Sequence, residues 1–105
     1  MTNETAIVQQ IRLAAGQEGI VLFRNNVGAL KDENGRLVRY GLHIGSSDLV
    51  GWRTRNGIAQ WIAIEVKSAT GKATPEQLTF INAVINAGGV AGVCRSVEDF
   101  LNLIK

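Results

Sequence analysis

The sequence holds one cysteine, one proline and one histidine. Cys94 alone cannot close an internal disulfide, and a lone thiol fits a reducing compartment. Apolar stretches run to about seven residues, far short of the roughly twenty that a membrane-spanning helix needs. The polar opening Met1-Thr2-Asn3-Glu4 lacks the features of a secretory leader, so the cytoplasm is the expected location. No cluster of His and Cys offers a zinc site. Excess charge is missing too: eleven Lys and Arg oppose nine Asp and Glu, and a formal +2 does not by itself mark a nucleic-acid binder. Without a repeat, linker or low-complexity segment, one domain over residues 1–105 is expected. What remains, 105 residues of which 46% are hydrophobic, can bury roughly two thirds of its unfolded surface and needs no metal or disulfide to hold a core.

The charge is unevenly spread. From Ile20 to Lys72 eight basic residues face four acidic ones, and from Glu76 onward two face three. A basic front half suits an anionic ligand, although solvated strand edges would look the same. Ile7, Val8, Ile11, Ala14 and Ala15 recur at helical spacing, with Thr2 or Asn3 as N-cap and Gly16 near the stop. Ile20 to Arg24 is a β-branched and aromatic run. Val27–Leu30 and Leu37–Tyr40 flank a Lys31-Asp32-Glu33-Asn34-Gly35 turn as a partly irregular hairpin. Asp48–Arg53 and Ala59–Lys67 flank Asn56-Gly57, a strong hairpin signal because both turn residues must take positive φ. Thr74-Pro75-Glu76-Gln77 reads as a capping box with proline in the first turn, opening a helix whose apolar face is Leu78, Phe80, Ile81, Val84 and Ile85. After Gly88-Gly89, Val90–Cys94 reads as a buried strand and Ser96 as the cap of a last helix through Phe100, Leu101 and Ile104. The fold class is therefore α/β in the order α-β-β-β-α-β-α. The strand-helix-strand passage over residues 59–94 requires a parallel crossover within a mixed sheet.

A two-residue turn at Asn56-Gly57 pairs Arg55 with Ile58 and, counting outward, Trp52 with Trp61 and Asp48 with Glu65. Two carboxylates directly opposite one another repel, so they must share a cation or the register must slip at a bulge. Lys67, two residues beyond Glu65, points to the same face, while Ile62, Ile64 and Val66 form the opposite, buried face. Hard oxygen donors suit Mg²⁺ or Mn²⁺, which can hold a phosphate oxygen and lower the pKa of a bound water. Lys67 could orient the nucleophile or stabilise charge on the phosphoryl group. The constellation thus fits metal-assisted phosphodiester hydrolysis. Trp52 and Trp61 read first as a packing or dimer contact and second as a base-stacking platform. His43, a loop histidine without a partner, reads as structural or exposed rather than catalytic, and Cys94 as a core thiol.

Aspartate, an interval, then Glu65-Val66-Lys67 resembles the PD-(D/E)xK nuclease superfamily. Within it the chain resembles the VRR-NUC family: Glu4, Arg24-Asn25 with Gly28, Gly45-Ser46-Ser47-Asp48-Leu49, Ile64-Glu65-Val66-Lys67, Gly71, Gln77, Gly88-Gly89-Val90 and Ser96-Val97-Glu98-Asp99 fall in family order over nearly the whole chain. Ser47 stands where the family usually has proline. The resemblance implies a restriction-endonuclease-like αβββαβα core, with a mixed central sheet flanked by helices. It implies that Asp48, Glu65 and the main-chain carbonyl of Val66 bind metal, with Glu4 completing the site. A first-turn acid favoured by the helix dipole would explain Glu4 equally well. Lys67 would be the catalytic lysine. Gln77 would support the lysine or the substrate, a role that competes with capping and need not exclude it. Family members act on structured DNA, and small stand-alone ones resemble dimeric phage or bacterial enzymes that cut branched junctions.

Candidate phosphate contacts are Arg24, Asn25, Asn26, Arg36, Arg39, Ser46, Ser47 and Lys72, since cations and small polar groups position a backbone without reading bases. The expected function is a Mg²⁺- or Mn²⁺-dependent DNA endonuclease that leaves a 5′-phosphate and a 3′-hydroxyl. Branched DNA such as a Holliday junction is the expected substrate and a homodimer the expected form, because so small a domain has little room to grip two duplexes. The alternative is a catalytically silent nucleic-acid or protein-binding module on the same scaffold. A hydrolase of small phosphate esters is disfavoured, since no phosphate-cradling glycine loop precedes a helix.

Overall fold

A computed structural model describes residues 3–105. Helix α1 (Glu4–Gln17) leads to strands β1 (Val21–Arg24), β2 (Gly28–Lys31), β3 (Leu37–Tyr40), β4 (Leu49–Arg55) and β5 (Ile58–Val66), followed by α2 (Pro75–Asn86), β6 (Val90–Cys94) and α3 (Val97–Leu103). Of the two expected caps of α1, Thr2 lies outside the described residues. Asn3 is the cap, its side chain accepting from Ala6 N at 2.9 Å. The helix runs one residue past Gly16 before the chain turns at Gly19.

Four strands form the sheet in the order β1-β4-β5-β6, antiparallel except for the β5–β6 pair that α2 connects. The expected mixed sheet and parallel crossover are therefore present. β2 and β3 pair only with each other, as a ribbon beside the sheet. Asn56 and Gly57 take φ of 54° and 76°, and the turn sets the expected register, Arg55 with Ile58 through Leu49 with Ile64.

Each face of the sheet has its own core. α1 and α3 cover one side, where Ile7, Ile11, Leu49, Ile62, Ile64, Val66 and Phe100 meet, and each such fully buried side chain contributes about 1.5–3 kcal/mol. α2 covers the other, over Val50, Ala63, Ile81 and Ala91. The sequence pointed to one buried face on β5, but Ile62 through Val66 are all buried, Glu65 among them.

The apolar face read for α2 needs a similar correction. Leu78 and Ile85 are about half exposed, and the inward stripe is Gln77, Phe80, Ile81 and Val84. A polar residue can hold a place in that stripe because Glu65 on the sheet gives it a partner.

Gly51 lies in the middle of β4, opposite Leu22 of β1 and Ile62 of β5. A Cβ there would run into the main-chain carbonyl of Val21. Gly51→Ala is expected to destabilise the domain by about 1–3 kcal/mol through the β1–β4 pairing, read as a lower melting temperature with helix content retained. No helix among the described residues is long and apolar enough to cross a membrane.

Candidate active site

Glu65 is the last residue but one of β5 and points to the α2 side of the sheet, where it is 2% exposed. Gln77 Nε2 donates to its Oε1 at 2.9 Å, and Lys67 Nζ lies 3.6 Å from the same oxygen. Its Oε2 is buried without a hydrogen-bond partner. Burial, and then the neighbouring Asp48 carboxylate, push the Glu65 pKa up to about 8, with Lys67 pulling partly the other way. A buried carboxylate with one idle oxygen is costly unless a proton or a cation occupies it.

Asp48 does not continue the ladder. Regular pairing stops at Leu49 with Ile64, and the Asp48 carboxylate turns to accept the Val66 N–H at 2.7 Å through Oδ2. The directly opposed ladder pair expected from the register is not formed, yet the two carboxyl groups stay close enough for Asp48 to raise the Glu65 pKa, and both acids lie at one end of the two strands. The Asp48 carbonyl accepts from Asn25 N at 2.7 Å, tying the end of β1 to the site.

Gln77 does both things for which the sequence made it a candidate. Its N–H donates to Thr74 Oγ1 and its Oε1 accepts from Thr74 N, closing the capping box, while its Nε2 reaches Glu65. The cap fixes the first turn of α2, and so the direction from which the amide meets the carboxylate.

Glu4 is exposed on the first turn of α1, and among the described residues no three His, Cys, Asp or Glu side chains are grouped to hold a metal ion. Glu4 is thus not gathered with Asp48 and Glu65. Ser46 and Ser47, read as phosphate contacts, are buried, Ser47 completely and with its hydroxyl unpartnered. Ser47 offers no surface hydroxyl, while Ser46 keeps a narrow edge on the groove beside Asp48. Asn25 braces the loop that carries both serines: its Nδ2 donates to Ser46 Oγ at 2.7 Å and to the Ser47 carbonyl at 2.9 Å, and its Oδ1 accepts from Leu42 N. The bracing role left no trace in the sequence, since its partners lie up to 22 residues away.

Arg24, Asn26, Arg36, Arg39 and Lys72 are exposed. Of these Arg39 lines a groove of about 450 Å³ with Asn25, Ala29, Ser46, Asp48 and Gln77, between the β2–β3 ribbon and the carboxylates. His43 lines a different hollow with Pro75 and Glu76 and holds its Nδ1 2.7 Å from the Ile44 carbonyl. Burial pushes the Cys94 thiol up to about 12, which leaves it inert in the core. Trp52 and Trp61 pair across β4 and β5 on the face that carries Glu65, both partly exposed, with Phe23 edge-on to Trp52 at 5.8 Å.

The donor atoms gathered here are the carboxylate oxygens of Asp48 and Glu65, of the kind preferred by hard divalent cations. The idle Glu65 Oε2 beside Asp48 fits such an ion. The family model described as the VRR-NUC domain matches residues 3–98, a span that takes in each of these side chains. No curated protein and no solved structure matches the chain.

Proposed function

Because the chain belongs to the VRR-NUC family, we propose that its nuclease activity is metal-dependent endonucleolytic cleavage of DNA at the Asp48, Glu65 and Lys67 cluster. The observation that carries this reading is the buried, half-idle Glu65 carboxylate held between Lys67 and Gln77 beside a second acid. Asp48, Glu65 and the Val66 carbonyl would hold Mg²⁺ or Mn²⁺, with Glu4 joining if the first turn of α1 moves in. A divalent ion held there acidifies water and offsets charge on the phosphoryl group. Glu65 would hold the cation as its carboxylate, with Gln77 keeping Oε1 in place and Oε2 left without another partner. The Lys67 ammonium, anchored at Oε1, is set to orient the attacking water or to stabilise charge developing on the phosphate. Cleavage leaves a 5′-phosphate and a 3′-hydroxyl.

DNA lies along the groove between the ribbon and the site, with Arg39 on its wall and Arg24, Asn26, Arg36 and Lys72 as outlying phosphate contacts. Branched DNA in the cytoplasm is the substrate. A second copy, packed through the apolar strip of Val21, Phe23, Trp52 and Trp61, provides the second grip that 105 residues lack. The test compares junction, flap, duplex and single-stranded substrates with Mg²⁺ or Mn²⁺, with molecular mass measured in the same buffer. Metal-dependent cleavage favouring the branched forms by a dimer is expected. Equal cleavage of all four by a monomer refutes the junction-cutting dimer. No cleavage of any, with no rise in melting temperature on adding Mn²⁺, favours the silent binding module.

Arg39→Ala is expected to weaken binding to all DNA sequences alike and to lower the slope of log affinity against log salt by about 1, as the loss of one phosphate contact requires. A titration between 50 and 200 mM salt, roughly, reads both.

A further inference from the structure

The turn between β5 and α2 carries Lys67 at one end and Gln77 at the other, so its shape decides how both meet Glu65. An exposed arginine at the end of the neighbouring strand holds it. Arg95, just past β6, donates through Nη1 to the Gly71 carbonyl at 2.6 Å and, by a shorter bond, to the Ser68 carbonyl. Its own N–H donates to Asp99 Oδ2 at 2.8 Å, which fixes the base of the side chain to the first turn of α3. Among the described residues the guanidinium has no carboxylate partner, so both of its long-range bonds go to this turn. The turn in turn supports the lysine. A Cβ built on Gly71 lies 3.5 Å from Lys67 Cδ and 3.6 Å from its Cβ, so the Lys67 stem runs alongside Gly71, while Lys67 N donates to the Cys94 carbonyl at 3.1 Å. Stem and turn together aim the ammonium at Glu65 Oε1.

We propose that Arg95 is a positioning residue for the reaction, clamping the Ser68–Gly71 turn so that the Lys67 ammonium is held at the Glu65 carboxylate. The role rests on the reading of Lys67 as the catalytic lysine. Arg95 touches neither Lys67 nor Glu65; it acts through two main-chain carbonyls, both of which accept from its one Nη1 nitrogen. The clamp is preorganisation: a flexible lysine left to several rotamers would lose rate without losing substrate.

The test uses Arg95→Ala and Arg95→Lys in the full chain. Arg95→Ala is expected to lower kcat roughly 10- to 100-fold, with KM and DNA affinity in Ca²⁺ near those of the wild type. Guanidinium ion at millimolar levels is expected to restore part of the rate to Arg95→Ala, and Arg95→Lys to keep more of it than Arg95→Ala, since one nitrogen can donate both bonds. NMR order parameters are expected to fall for the amides of residues 68–72 and the Lys67 side chain, with the melting temperature within a few degrees of wild type. A raised KM and a reduced salt slope with kcat intact would make Arg95 a DNA contact and overturn the proposal. Unchanged order at residues 67–72 would overturn it as well, whether or not the chain cuts DNA. If the wild type does not cleave while order is lost in Arg95→Ala, the clamp stands and the reading of Lys67 as catalytic falls.

Discussion

Lys67→Ala is expected to lower Mg²⁺-dependent cleavage by roughly 10³-fold, in line with the loss of one well-placed donor to developing charge, while the protein keeps its fold and its affinity for DNA. The fold survives because Lys67 lies at the end of β5, 16% exposed, and supports no core contact that its stem alone does not make. Removing the ammonium also takes away a charge at Glu65 that favours its ionised form, so the carboxyl holds its proton to still higher pH. Lys67→Arg is expected to stay near the alanine level, since a planar fork in place of a compact ammonium cannot sit at one oxygen in the same geometry. Rates are read with single-turnover cleavage and affinity with Ca²⁺ in place of Mg²⁺. Cleavage by Lys67→Ala within tenfold of wild type would remove the lysine from the mechanism.

The second large effect belongs to Glu65. Its carboxyl has an ordinary value of 4.5 and is pushed up to about 8 in the folded chain, so across that window the folded protein holds a proton that the unfolded chain releases. Without a divalent ion, stability therefore falls as pH rises from 4.5 to 8, and above it the fold carries a buried charge at full cost. Glu65→Gln cannot ionise. Its melting temperature is expected to match the wild type near pH 4.5, to lack that decline, and to exceed the wild type above pH 8. Adding Mn²⁺ at pH 8 is expected to raise the wild-type melting temperature and leave Glu65→Gln unmoved, because only a carboxylate exchanges its proton for a cation. The same substitution is expected to abolish cleavage. Parallel melting curves across pH, with and without Mn²⁺, would show that Glu65 neither carries the buried proton nor binds the ion.

Much of this site was legible in the sequence, for identifiable physical reasons. Asn56-Gly57 admits few turn geometries, so two residues set the partner of every position along β4 and β5 and placed Asp48 near Glu65. Thr74-Pro75-Glu76-Gln77 located the start of α2, and the spacing of Ile7, Val8, Ile11, Ala14 and Ala15 identified the buried side of α1 without error. Other features depended on contacts that leave no periodic signal. Hydrophobicity placed Leu78 and Ile85 inward, whereas the crossover turns α2 so that Gln77 takes that place with a carboxylate for partner. Asp48 leaves the β4–β5 ladder for the main-chain N–H of Val66, a side-chain bond that no residue pattern signals. Asn25 and Arg95 act on main chain 22 to 27 residues away; the residue pattern marked Asn25 as a phosphate contact and Arg95 not at all.

The parallel pairing of β5 with β6 has a consequence for the order in which the protein becomes competent. Glu65 lies beside Val93 and Val66 beside Cys94, so the strand that walls in the carboxylate is made only after the crossover helix. Parallel partners meet only after the whole crossover has been made, and such distant pairing is slow to close. A nascent chain that has reached α2 already carries Asp48, Glu65, Lys67 and Gln77 but has neither the neighbouring strand nor the arginine that follows it. The carboxylate thus gains its last wall, and Lys67 its clamped turn, only once β6 and Arg95 have followed the crossover into place.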